Sequence, residues 1–172
     1  SSNEAISKLS SLLTFIETPS VKRWQKKEGL SMSWWKKVKP EDMIDIGKVV
    51  KSVMTNNKLN SEHTMITMPK SNFTGINEDG KIEKKLKIPK LSLDSAYVVH
   101  NARATNEFAH KTLAVNLCNL YPNQPVKVYM QDMGFECDND AYALNTLIQW
   151  LFRGCIRKNE PMKVALFSGR MN

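Results

Sequence analysis

The chain has 172 residues, 41% of them hydrophobic, which suits one medium domain or a small domain joined to a larger one and excludes wholesale disorder. No apolar run approaches the roughly 20 residues of a membrane-spanning helix, and Ser1 to Lys8 lack the order of a secretory signal. Cys118, Cys137, Cys155 and three scattered histidines form neither a disulfide framework nor a zinc motif, so a cytoplasmic protein with reduced thiols and no bound metal is expected.

The net charge of +8 is unevenly spread. Residues 1–40 carry eight Lys/Arg against three Asp/Glu, residues 41–90 nine against seven, and residues 91–172 eight against seven. An excess of +5 in the first 40 residues attracts polyanions, because cations near phosphates release counterions.

In chain order, Ile6, Leu9, Leu12, Leu13 and Ile16 recur at helical spacing and predict a first amphipathic helix. Thr18-Pro19 reads as an N-cap with proline at the first helical position, opening a helix that stops at Gly29. Ser31 or Ser33 caps a short helix with Trp34 and Trp35. Pro40, Glu41 and Asp42 open a fourth helix, with Met43, Ile46, Val50 and Val53 on its buried face. Beyond Asn57, strands are expected at Met65–Met68, around Ile82–Ile88, at Leu93–His100, at Val126–Met130 and at Lys163–Phe167. Helices are expected over 107–120 and from Ala141 to about Arg157.

This pattern gives an α/β fold, or α+β. A basic helical segment at 1–56 with a helix-turn-helix outline precedes a small sheet with flanking helices at 57–172. In the basic segment, Gly29 is read as the left-handed residue of the turn, with Leu30 and Val38 between the helices. Lys22, Arg23, Lys26, Lys27, Lys36, Lys37 and Lys39 are candidates to meet phosphates, and Trp34 and Trp35 to stack on bases, although a core role explains the tryptophans better.

Gly75 to Lys81 has the spacing G-x-x-x-x-G-K, but Ile82 stands where a phosphate loop needs Ser or Thr, and a turn explains these residues. Asp132, Glu136, Asp138 and Asp140 are the one acidic cluster suited to magnesium, and capping and loop solvation explain them better than a nuclease site.

On a helix over 144–157, Leu144, Leu147, Ile148, Leu151 and Cys155 share one side, while Gln149, Arg153 and Arg157 follow at spacings of four on the opposite side. Two permanently charged forks on one face suit phosphate oxygens, and the wet face of an amphipathic helix accounts for them equally well. The run Gln149-Trp150-Leu151-Phe152-Arg153-Gly154-Cys155-Ile156-Arg157 is similar to the sixth motif of superfamily-two helicases, and Asn101-Ala102-Arg103-Ala104-Thr105-Asn106-Glu107-Phe108 sits where their fifth motif lies. Together these resemble the second RecA-like lobe of phage- and plasmid-type DEAD/DEAH helicase-like proteins, over about residues 93–171. The resemblance implies that Gln149, Arg153 and Arg157 face nucleotide, the arginines as possible fingers, and that Arg103, Thr105 and Asn106 touch nucleic acid. The chain has no Walker A loop and no D-E-x-[HD] tetrad, so ATP with magnesium would be handled only together with a partner lobe.

The function expected is therefore a DNA- or RNA-binding module related to a helicase lobe, of phage or mobile-element replication type, partnered by an ATPase lobe or another replication protein. The alternative is a phage-type interaction protein that binds an acidic host partner.

Overall fold

A computed structural model describes residues 2–58, 60–88, 92–99, 105–119 and 139–168. The expected strand at 126–130, Arg103, and Asp132, Glu136 and Asp138 lie outside the described residues.

The α/β expectation holds. Among the described residues, four strands, β1 (Leu13–Phe15), β2 (Thr64–Thr67), β3 (Leu113–Asn116) and β4 (Met162–Leu166), form a parallel sheet in the order β1-β4-β3-β2. Helices cover both faces, as a parallel sheet requires. On one face, α2 (Pro19–Gln25), α3 (Met32–Lys36) and α4 (Pro40–Asn56) bury Trp24, Trp35, Ile46, Val50 and Met54 against Ile66, Leu113, Val115 and Ala165. On the other, α1 (Ser2–Leu12) and α6 (Asn139–Leu151) pack Leu9, Leu12, Leu147, Trp150 and Leu151 on Met65, Ala114, Val164 and Leu166. Alternate residues of each strand thus serve opposite layers. A short helix, α5 (Lys70–Thr74), follows β2.

Two of the caps read from the sequence, Thr18 and Ser31, form as expected. Thr18 Oγ1 accepts from the Val21 amide at 3.4 Å, and Ser31 Oγ from the Trp34 amide at 3.2 Å. Other expectations are corrected. Residues 107–120 were expected as a helix, yet Leu113–Asn116 is a central strand whose four residues are all buried. A continuous apolar run has no periodicity to tell a two-face-buried strand from a buried helix. In place of the strands expected at Leu93–His100 and Ile82–Ile88, the described residues form isolated bridges: Tyr97 to Ile66, Ile82 to Ile76, and a further one at Ile88. Leu13–Phe15, read as part of the first helix, is the edge strand β1. The last helix ends at Leu151, and Cys155–Lys158 forms a separate 3-10 turn.

Gly154 marks that break. A Cβ there would meet Met162 and Lys111 O, the latter at 3.0 Å. The left-handed residue between α2 and α3 is Leu30, φ 67°, not Gly29. Gly29 is needed for another reason: a Cβ would press on the Trp34 indole at 3.0 to 3.3 Å. Gly75 and Gly80 do take positive φ, and Asn77 Oδ1 accepts from the Asp79 and Lys81 amides, so the G-x-x-x-x-G-K run is a turn.

Gly47 in α4 lies against the Lys87 segment, where an added Cβ would stand 2.6 Å from the Lys87 carbonyl oxygen. In an open helix Gly→Ala stabilises by about 1 kcal/mol. Here Gly47→Ala is expected to destabilise by about 1–3 kcal/mol, because backbone must move. Urea denaturation checks the sign, and a variant as stable as the parent would show that this segment does not press on α4.

Lys111, 2% exposed, anchors the amino edge of the sheet. Its Nζ lies within hydrogen-bond distance of four carbonyl oxygens, those of Ser61 at 3.0 Å, Glu62 at 3.0 Å, Thr64 at 2.9 Å and Ser95 at 2.7 Å, which share its three N–H donors. Burial pulls its pKa below the ordinary lysine value, and the Glu62 carboxylate works against that shift.

Candidate nucleic-acid interface

In open parallel sheets, ligands bind outside the carboxyl ends of the strands. In this chain that edge is covered by the basic α2–α3 segment. Gln25 Nε2 donates to Leu166 O at 2.8 Å, the Trp35 indole N–H to Leu117 O at 2.9 Å, and the Asn119 amide to Leu30 O at 3.0 Å. These bonds tie the segment to the ends of β3 and β4, and the left-handed turn at Leu30 aims its carbonyl at Asn119.

Between them lies an open groove of about 960 Å³ whose walls include Lys26, Lys27, Lys37, Lys39 and Trp34, with Asn119 and Ser168 from the strand ends. Glu28 and Asp42 are its acidic members. A second depression, lined by Glu17, Pro19, Lys22, Arg23, Lys26 and Lys27, shares Lys26 and Lys27 with it and continues it along α2. The basic side chains thus form one track across the carboxyl edge. Asn119 Oδ1 is buried without a hydrogen-bond partner among the described residues.

The candidates named from the sequence divide sharply. Lys22, Lys26, Lys27, Lys36, Lys37 and Lys39 are exposed, with Lys27 Nζ 4.2 Å from the centroid of the Trp24 ring. Arg23 is already occupied, its Nη2 lying 3.1 and 2.9 Å from the two Asp45 oxygens, while the Trp24 indole donates to Asp45 at 2.7 Å. Trp35 is 1% exposed and presents no face to a base. Trp34 is half-buried, edge-on to Trp24 and Trp35, and lines the groove. Sequence reasoning missed Asn119 and Ser168, which only the pairing of distant strands brings here.

The arginine stripe lies at the opposite edge. Gln149 is exposed on α6, Arg153 is half-buried in the turn after it, and Arg157 belongs to the 3-10 turn that precedes β4. Since α6 ends before that turn, the three do not share one helix face. Arg157 donates to Thr105 O at 2.9 Å, and Arg153 Nε is buried without a hydrogen-bond partner among the described residues. Thr105 and Asn106 are exposed in the turn before β3, also at the amino edge, so they do not join the groove. A nucleophilic role for either described thiol is unsupported, since burial pushes the pKa of Cys155, in the 3-10 turn with Arg157, up to about 11 and that of Cys118, beside Asn119 at the carboxyl edge, up to about 12.

A profile of the YonV C-terminal Rossmann-like domain matches residues 7–172. The chain belongs to this family. The YonV-type domain accounts for the parallel sheet, and the match takes in the basic α2–α3 segment together with the strands it covers. The SPbeta prophage-derived protein YonV of Bacillus subtilis (strain 168) is 30% identical over 87 residues, which are 51% of this chain and 21% of that protein. The chain therefore aligns with about a fifth of that relative's length. No solved structure matches it. The lobe is Rossmann-like, which is the broader part of the helicase resemblance. Among the described residues, no helix is long and apolar enough to cross a membrane.

Proposed function

We propose that the carboxyl-edge groove binds nucleic acid, with Lys26, Lys27, Lys37 and Lys39 contacting phosphates and Trp34 stacking on a base. The observation that carries the reading is the joining of four lysines and a partly open indole in one groove at the edge where Rossmann-like sheets take ligands. An unstacked base is needed for the indole, so single strands are the preferred form. The prophage context of the YonV relative fits a role in the nucleic-acid transactions of a mobile element.

In the finer helicase reading, Arg153 and Arg157 would reach nucleotide only when another lobe presents it. They would do so from the edge opposite the groove, so the two functions would be separable by mutation.

The test is affinity for single-stranded and duplex DNA and for RNA across a salt series. Charge reversal at both Lys26 and Lys27 is expected to weaken binding by at least about tenfold at low salt and to reduce the log–log salt slope by about 2. Arg157→Ala at the amino edge is expected to leave both unchanged. Failure of all three nucleic acids to bind at low salt would sink the reading.

A further inference from the structure

Two exposed isoleucines line one cavity beside the start of α4, distinct from the groove. Ile44 on α4 is 60% exposed and Ile82 is 92% exposed. Both line an open cavity of about 530 Å³ whose apolar wall also includes Pro40 and Met43. Exposure of Ile82 is built in rather than a matter of a loose tip. Ile82 bridges Ile76, the Asn77 amide donates to Lys81 O at 2.9 Å, and Asn77 Nδ2 donates to Glu83 Oε1 at 3.0 Å. Neighbouring aliphatic side chains that no core element covers mark an interaction surface when they line one cavity.

Charge decides the occupant. Lys84, Lys85 and Lys87 line the cavity against Glu83 alone. Lys84 is committed to the Val38 carbonyl. Lys85 and Lys87 have no carboxylate partner among the described residues, and the Lys85 stem lies over Gly75.

We propose that this cavity docks an acidic peptide segment of a protein partner, its aliphatic side chains seated on Ile44 and Ile82 and its carboxylates facing Lys85 and Lys87. A second copy of the chain would bring the same lysines face to face, on two bodies that each carry +8. A nucleic-acid backbone would meet the lysines but would leave the isoleucines wet, because phosphates and sugars offer them little apolar surface.

The experiment is selection of random displayed peptides on the 172-residue chain, with Ile82→Glu used for counter-selection. Selected peptides are expected to be rich in Asp or Glu together with Leu or Ile. A labelled synthetic copy, followed by fluorescence anisotropy, is expected to lose at least about tenfold in affinity with Ile82→Glu, with Ile44→Glu, and with Lys85→Glu joined to Lys87→Glu. Charge reversal at Lys26 and Lys27 should not affect it, which separates this surface from the groove. Circular dichroism is expected to stay unchanged, since both isoleucines are exposed. Enrichment of neutral or basic peptides, or equal binding to the isoleucine variants, would overturn the proposal. So would a dimer in sedimentation, or oligonucleotide binding, that Ile82→Glu abolishes.

Discussion

Lys111→Met is expected to cost the fold about 3–5 kcal/mol, a large share of the roughly 5–15 kcal/mol that keeps a domain folded. Methionine fills much of the space of the lysine stem, so the loss isolates the ammonium. That group shares its three N–H donors among four carbonyls from two stretches, Ser61–Thr64 and Ser95, and so ties the entry to β2 and the 93–98 segment to the start of β3. Removing it leaves these acceptors unpaired, that of Thr64 buried and the others partly buried, each costing about 1–3 kcal/mol where water cannot replace the donor. Lys111→Arg is no rescue, because a planar fork cannot converge its donors on one point as an ammonium does. The measurement is urea denaturation of the parent and both variants. An unchanged midpoint for Lys111→Met would show that water reaches the cage. Oligonucleotide affinity of the folded variant is expected to match the parent, since the cage and the groove lie at opposite edges of the sheet.

Local chemistry made part of this architecture legible. Thr18-Pro19, Ser31 and Pro40 announce helix starts, because caps act within three residues and need no tertiary partner. The apolar face of α4 follows from its periodicity. What failed has a common cause. Leu113 to Cys118 is apolar on both sides apart from Asn116, because both faces of a central parallel strand are buried, and that erases the alternation by which strands are recognised. Leu13–Phe15 continues the spacing of the helix before it and becomes a strand only by pairing with Met162–Val164.

The basic character of the site was equally legible, and its location was not. Lys26, Lys27, Lys37 and Lys39 are conspicuous in the sequence, but their place at the carboxyl edge depends on bonds such as Gln25 to Leu166 and Trp35 to Leu117, between residues far apart in the chain. Reading Gln149, Arg153 and Arg157 as one face assumed an unbroken helix. Gly154, pressed against Met162 and the Lys111 carbonyl, sits where the chain instead turns back toward β4.

The adjacent tryptophans offer the sharpest separation of folding from binding. Trp35→Ala is expected to destabilise the protein by about 3–5 kcal/mol, the ordinary cost of emptying a fully buried indole site. It also strips Leu117 O of its donor at the end of β3. Trp35→Phe keeps most of the packing and is expected to lose about 1–3 kcal/mol from the unpaired carbonyl. Trp34→Ala is expected to cost less in stability, because that ring is only half-buried, yet to weaken single-strand binding by about 1–3 kcal/mol through lost stacking. Denaturation curves and oligonucleotide titrations on the same three variants check this. If Trp34→Ala binds single strands as the parent does, the indole is only a wedge between Gly29 and Trp24, and the lysines alone hold the strand. If it loses affinity while Trp35→Phe retains it, the two neighbours have divided their work: Trp35 fixes α3 to the sheet, and that anchorage holds Trp34 open to the groove.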